Sequence, residues 1–287
     1  MASAYPSENI SLDCGGDKLT LRCKRHRYQI STLPAEDFPT LDTGDCEPIE
    51  LSGDVLLSRI DAVLGAVAKS DVRYYLNGAL IEPDGHGARI VGTDGHRLIT
   101  HALPIESGTL SRSLILPRES LEMMRGIIKG EPVTLGVGES KVSVSTQNAS
   151  MASTVIDGRF PDWRRVVPEQ VQYQAAIDRQ ELMSALQGVR VIGEKHAGVR
   201  LTFDEHALEL EVVNSQRDEG GVIVDLNWQQ PPPHPITVGF NIAYLLDALA
   251  AFSDDTVLLH FTGSDASAKF TSDDDDGLIA VVMPMRL

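Results

Sequence analysis

Three Xaa-Pro steps divide this chain at nearly even distances. They are Phe38-Pro39, Phe160-Pro161 and Met283-Pro284, with the prolines 122 and then 123 residues apart. Proline fixes its own φ and pushes the residue before it into extended geometry, so a strand must stop or turn at each step. A period this long exceeds any solenoid repeat and suits tandem whole domains. The stretches ahead of each step agree with that reading. Glu8–Leu12 and Gly15–Leu21 alternate as two strands joined by a glycine turn, as do Glu131–Val137 with Val142–Val144 and Asp255–Phe261 with Ala268–Phe270. The unit therefore occurs in three copies.

A second level of repetition runs inside the last two copies. Leu51 to Leu98 reads as a helix followed by strands at Asp71–Leu76 and Ala88–Thr93; residues 177 to 215 read as a helix followed by Gly198–Phe203 and Ala207–Val213. A further helix precedes each punctuated unit, at Pro117–Lys129 and Asn241–Phe252. The expected fold is α+β, each full domain being two helix-plus-strand halves. The first copy has only its final strands, so the chain is expected to start about half a domain late. The domains are expected at 1–44, 45–168 and 169–287. Linkers are expected at 42–48 and 164–174, and a stiff proline connection at 229–235.

Composition narrows the class. The 287 residues carry 42% hydrophobic content, enough for sizeable cores, and hold no apolar run near the roughly 20 residues of a membrane span. Met1–Tyr5 lacks the order of a signal peptide. Cys14, Cys23 and Cys46 are too few and too widely spaced for a disulfide framework or zinc site, and read as free thiols in a reducing compartment.

The net charge of −16 argues at first against nucleic acid, but the charges are not evenly spread. Asp273–Asp276, Asp254-Asp255 and Asp218-Glu219 fall in turns, while basic residues collect on helices. Arg118, Arg125 and Lys129 share one helical face and Leu121, Met124 and Ile128 another. Arg179 and Arg190 lie along one side of the helix opened by the capping-box-like pair Asp178 and Glu181, and Arg59 and Lys69 are assigned to the polar side of the helix before them. Recurrence in equivalent helices favours a shared cationic surface over separate solvated faces.

The densest polar cluster is Gly92-Thr93-Asp94-Gly95-His96-Arg97-Leu98. Its Asp-His pair lacks a nucleophile elbow, a zinc motif or a phosphate loop, so recognition or turn structure is favoured over catalysis. The chain ends on the apolar, methionine-rich run Ile279–Leu287, which reads equally as a binding groove or as a strand finishing in its own core.

The ordered motifs Asp71–Gly78, Thr93–Leu98, Asp157–Asp162, Gly239–Asn241, Val281–Leu287 and Ser31–Pro39 resemble those of the bacterial sliding clamp family, the beta subunits of DNA polymerase III. The resemblance runs from about residue 6 to the end. It implies tandem DNA-clamp domains with helices on the inner face and antiparallel sheets outside, joined head to tail in a homo-oligomeric ring. It implies a topological tether with no catalytic residues, cofactor or metal of its own; nucleotidyltransferase activity would belong to the associated polymerase. It also implies a bacterial cytoplasmic, nucleoid-associated protein away from membranes.

Residue by residue, the resemblance assigns Tyr74, Tyr75, Arg118, Arg125, Lys129, Arg190 and Lys195 to duplex DNA, bound without sequence preference. Glu119 departs from the basic character expected beside Arg118. A peptide cleft would comprise Arg73, Leu76, Thr93, Gly95, His96, Arg97, Leu98, Pro161, Arg165, Val166, Asn241, Tyr244, Ser267, Val281, Met283, Pro284, Met285 and Arg286. Its visitors would be short linear peptides of the polymerase III catalytic subunit, the clamp loader, other polymerases and mismatch-repair proteins, held at about micromolar affinity. Tyr28 and Ile30 would meet Val191 and Ile192 of another copy. The short first domain leaves an alternative: a shortened variant or decoy that binds clamp partners without encircling DNA.

Overall fold

The computed structural model describes residues 9–37, 46–192, 198–214, 216, 218–275 and 277–286. The chain divides into two units, residues 1–42 and 43–287. Phe38-Pro39 and Lys195 lie outside the described residues.

The smaller unit is an antiparallel sheet of β1 (Ser11–Gly15), β2 (Lys18–Cys23) and β3 (His26–Ser31), with β2 central. Gly16, at φ 62°, supplies the left-handed residue of the first turn, and Cys23 is buried. The whole of β3 is exposed, and His26, Tyr28 and Ile30 share one of its faces.

The larger unit repeats one order of elements. β4 (Glu47–Leu51), α1 (Gly53–Leu64), β5 (Gly78–Asp84), β6 (Gly87–Thr93) and β7 (Arg97–Leu103) form the first half-domain. β8 (Leu114–Pro117), α2 (Arg118–Ile127), β9 (Val133–Val137), β10 (Lys141–Ser145) and β11 (Ser150–Thr154) form the second. The third runs β12 (Tyr173–Asp178), α3 (Arg179–Arg190), β13 (Gly198–Phe203), β14 (Ala207–Val213) and β15 (Glu219–Asp225), with β16 (Asn227–Gln230) added. The last is β17 (Ile236–Asn241), α4 (Ile242–Ala250), β18 (Thr256–Phe261), β19 (Ala268–Thr271) and β20 (Leu278–Val282).

The halves exchange their leading strands. β4 pairs with β9 and β8 with β5; β12 pairs with β18 and β17 with β13. Two sheets of four strands result, together with a nine-stranded sheet ordered β16-β12-β18-β19-β20-β7-β6-β5-β8. Its seam is the antiparallel pair β20–β7, with Leu278 opposite His101 and Val282 opposite Arg97.

Both faces of this sheet are covered around the seam. Ala79, Ile81, Ile90, Ile99, Leu116, Ala280 and Val282 point into the main core, while Leu80, Val91, Leu98, Ile115 and Val281 form a second apolar cluster on the opposite face. The strap between β11 and β12 covers the second cluster with Ile156, Phe160, Trp163 and Val166. The Trp163 indole donates to Glu82 at 2.9 Å, and Arg164 pairs with the same carboxylate at 2.7 Å. The inner strands are thus apolar on both faces and hide the two-residue period.

Side-chain caps open α3 and α4. Asp178 accepts from the Glu181 N–H at 2.7 Å, and Asn241 from the N–H groups of Ala243 and Tyr244. Leu56, Ile60, Val63 and Leu64 give α1 its buried stripe. At Gly92 a Cβ would lie 2.6 Å from the Val63 carbonyl oxygen, so only glycine allows α1 to rest directly on β6. No helix among the described residues is long and apolar enough to cross a membrane.

Three local expectations need correction. Asp71–Leu76 is not a strand but a loop ending in the short 3-10 turn Tyr74–Leu76, with the strand starting at Gly78. The Asn77 side chain closes the loop, accepting from the Asp71 N–H and donating to the Asp71 carbonyl. The apolar alternation was deceptive, since Leu76 is buried but Val72 is 99% exposed. The linker expected at 42–48 overruns β4, which starts at Glu47, and the one at 164–174 includes part of a 3-10 turn and the start of β12. Arg59 does not lie on an open polar face, since it donates to the Ala102 carbonyl of β7 at 3.1 Å, and Lys69 and Lys129 fall past the ends of α1 and α2 rather than on their faces.

Candidate peptide-binding cleft

The centre of the candidate cleft draws its residues from four stretches far apart in sequence. The β6–β7 turn supplies Thr93 to Arg97. Thr93 Oγ1 donates to the Arg97 carbonyl at 2.7 Å and accepts from the Gly95 N–H at 3.1 Å. Gly95 has φ 87°, and a Cβ there would meet the Arg73 guanidinium at 3.0 Å, so glycine serves both the turn and the arginine packed on it. Asp94 accepts from the His96 and Arg97 N–H groups and from Arg97 Nε. With the carboxylate turned toward Arg97 and the backbone, Asp94 and His96 do not form an acid–base dyad.

The loop before β5 brings Arg73 to this turn, where it donates to the Asp94 carbonyl at 3.1 Å. Asp71 accepts from Arg73 Nη2 at 2.7 Å and from the Arg73 N–H at 2.8 Å, and these two contacts hold the pKa of its carboxyl down to about 2. The start of α4 supplies Asn241 and Tyr244. The Tyr244 ring stacks on His96 with centroids 5.8 Å apart and planes 15° apart, and Arg97 Cζ lies 4.6 Å from the Tyr244 centroid. Burial first, then the charge of Asp94, raises the Tyr244 phenol above its usual range.

The terminal strip ties these parts together. The Met283 N–H donates to the His96 carbonyl at 2.9 Å and the Met285 N–H to the Gly239 carbonyl at 2.8 Å. The strip Met283-Pro284-Met285 therefore runs from the β6–β7 turn to β17. The strand reading of the tail holds for Val281 and Val282, which finish in the cores, while Met283 and Pro284 are half-buried and Met285 is exposed beside the β6–β7 turn and β17.

Other assigned residues lie around this centre. Leu76, Leu98 and Val281 are fully buried beneath it; Val166 is half-buried on the strap, and Pro161, Arg165 and Arg286 are exposed. Ser267 is half-buried just before Ala268, the residue opposite Val282. A cavity of about 570 Å³ lies beside the strap, lined by Leu80, Glu82, Ile115, Phe160 and Trp163, and Pro161 is the one assigned cleft residue in its wall.

Sequence reasoning missed the aspartates. Asp71 pairs with Arg73, Asp162 with Arg165 at 2.9 Å, and Asp94 with Arg97 at 3.2 Å. An Asp two or three residues ahead of each Arg was a readable signal. Asp247 of α4, which also pairs with Arg97, had none, because its partner lies far away in sequence.

The residues assigned to DNA have unequal surroundings. Arg118 donates to the carbonyls of Leu64 and Val67 at 2.8 and 2.7 Å, capping the C-terminal end of α1, and pairs with Glu122 at 2.9 Å. Arg125 pairs with Asp61 of α1 at 2.5 Å. Lys129 and Arg190 are exposed, as is Tyr74; Tyr75 is half-buried against the strap cluster. Val191 is exposed, whereas Ile192 packs on Gly220 of β15. Among the described residues no group of His, Cys, Asp and Glu is disposed to hold a metal ion.

Residues 50–162 match the family model for the central domain of the DNA polymerase III beta subunit, and residues 164–286 match that for its C-terminal domain. The beta sliding clamp of Salmonella typhimurium is 35% identical over 282 residues, 97% of this chain and 76% of that protein; that of Escherichia coli K12 is 34% identical over the same shares. The crystal structure of the Pseudomonas aeruginosa subunit superposes with a TM-score of 0.88 at 32% identity, covering 96% of this chain and 77% of that one. A Caulobacter crescentus beta sliding clamp gives 0.90 at 29% identity, covering 98% and 77%. The chain belongs to the DNA polymerase III beta subunit family, the beta sliding clamps. It is a DNA sliding clamp, a non-catalytic processivity subunit.

Proposed function

We propose that this chain holds DNA polymerase III on duplex DNA by topology, and exchanges visiting proteins through the cleft between its domains 45–168 and 169–287. Residues 1–44 are read as the C-terminal half of a first clamp domain that takes part in a head-to-tail homo-oligomer. The single observation carrying the proposal is that the strip Met283–Met285 is hydrogen-bonded to the β6–β7 turn and to β17 while the Tyr244 ring at the start of α4 stacks on His96 of that turn.

A visiting peptide would set apolar side chains against Val166, Met283 and Pro284 and reach Leu98 and Val281 when the strip or strap shifts. Each buried side chain contributes about 1.5–3 kcal/mol, and ordering costs offset part of it. Net affinity near micromolar suits exchange among the polymerase III catalytic subunit, the clamp loader, other polymerases and mismatch-repair proteins, in the bacterial cytoplasm and at the nucleoid. On the DNA side, Arg125, Lys129, Arg190 and Lys195, with Tyr74 and Tyr75, would make phosphate contacts too weak and too general to prevent sliding. Arg118 would contribute less, because α1 already holds it. Tyr28 and Ile30 lie on β3, an edge strand, and Val191 and Ile192 lie near β15, also an edge, which supports strand-to-strand addition between copies.

The test is retention after loading by the cognate clamp loader. The chain is expected to stay on nicked circular DNA and to be lost when the circle is cut. Equal retention on circle and line contradicts the topological tether and leaves a peptide-binding decoy.

A further inference from the structure

Arg73, Arg97 and Arg165 of the candidate cleft each pair with an aspartate of the chain itself, and one of these carboxylates is out of place by every local rule. Asp247 lies on α4, yet it packs against the C-terminal end of α1: a Cβ built on Gly65 would be 3.5 Å from the Asp247 Cβ. The partial negative charge at a helix C-terminus disfavours a carboxylate there. Arg97 offsets it. Its Nη1 pairs with Asp247 Oδ2 while its Nε holds Asp94 on the β6–β7 turn, and its side chain is only 12% exposed. The same guanidinium lies over the Tyr244 ring, which in turn stacks on His96.

The geometry points to Asp247 as a positioning residue of the cleft. It holds Arg97 across from the turn to α4, and thereby fixes the spacing of His96 and Tyr244, the aromatic pair that a visiting peptide would meet. Asp247 reaches the peptide only through Arg97. With its charge removed, the guanidinium keeps Asp94 but loses its anchor on α4, so turn and helix are free to change their separation. The inference rests on the peptide-cleft reading.

The test uses the full chain and the strongest-binding peptide from an overlapping set that spans the polymerase III catalytic subunit, read by fluorescence anisotropy. Asp247→Asn is expected to weaken binding about tenfold, and Asp247→Glu to recover it to within about threefold of wild type. In an Arg97→Ala background the Asp247→Asn change is expected to add nothing, which a general loss of structure would not reproduce. The Asp247 side chain is 44% exposed, so both single variants are expected to melt close to wild type. Wild-type affinity in Asp247→Asn, or full additivity with Arg97→Ala, overturns the positioning role. If Met283→Glu meanwhile abolishes binding, the cleft stands and only this inference falls; if wild type binds no peptide of the set, both fall.

Discussion

A chain ending at Val282 is expected to fold and yet to lose about a hundredfold in affinity for a polymerase III peptide. The missing strip makes two backbone hydrogen bonds to the rest of the chain, from Met283 to His96 and from Met285 to Gly239. Their loss costs about 1–3 kcal/mol, at about 0.5–1.5 kcal/mol each. β20 keeps both of its neighbours, β19 and β7, so the nine-stranded sheet survives. The peptide, however, loses the apolar surfaces of Met283 and Pro284, and about 3 kcal/mol of lost burial is roughly a hundredfold in Kd. Anisotropy titration of the shortened chain, with a melting curve to confirm folding, checks this. Unchanged affinity would mean that the strip is only the end of a strand.

Acid should destabilise the protein well above the carboxylate range. His101, at the seam, donates through Nε2 to Asp275 at 3.0 Å, while its buried Nδ1 has no partner among the described residues. Burial, then the charge of Arg59, pushes its pKa down to about 4 against the opposing pull of Asp275. Burial likewise pushes His260 to about 4, with Lys269 adding to the effect. Both values lie below the ordinary 6.5, so between pH 6.5 and 4 the unfolded chain binds more protons than the folded one. Stability is therefore complete above pH 6.5 and declines as pH falls through that window, each histidine contributing on the order of 3 kcal/mol at most. Asp71 adds a separate loss only as pH falls below 3.8 toward 2. Urea midpoints measured at pH 7.5, 5.5 and 4.5 should fall steadily, and a His101→Gln/His260→Gln variant should flatten the decline. A constant wild-type midpoint over this range would contradict the buried neutral histidines.

Much of the fold was legible because its signals were local. The turn glycines of β1–β2 and the caps Asp178 and Asn241 lie next to the elements they punctuate, and the polar alternation of β13 and β14 survives because only one face is covered. The leading strands β4, β8, β12 and β17 were harder to see. They are short, run directly into helices, and pair with the opposite half, so only tertiary structure reveals them. Asp71–Leu76 misled because Val72, Tyr74 and Leu76 alternate like a strand while the Asn77 side chain closes a loop. At the site, the turn at His96 and the methionine tail were visible as unusual segments, but their meeting depends on the β20–β7 seam. The Asp94–Arg97 pair could be read from spacing; the Arg97–Asp247 pair could not, nor could the Trp163–Glu82 bond that fastens the strap. The α2 arginines shared a face as periodicity required, but periodicity could not foresee that Arg118 would cap α1.

Methionine methyl labelling tests the cleft most directly, because methionines lie both in it and away from it. When a polymerase III peptide is titrated into the full chain, the methyl signals of Met283 and Met285 should shift with a common affinity, while that of Met124, on the buried face of α2, should stay still. Shifts confined to Met123, Met124 or Met183, with Met283 and Met285 unmoved at saturation, would contradict the account.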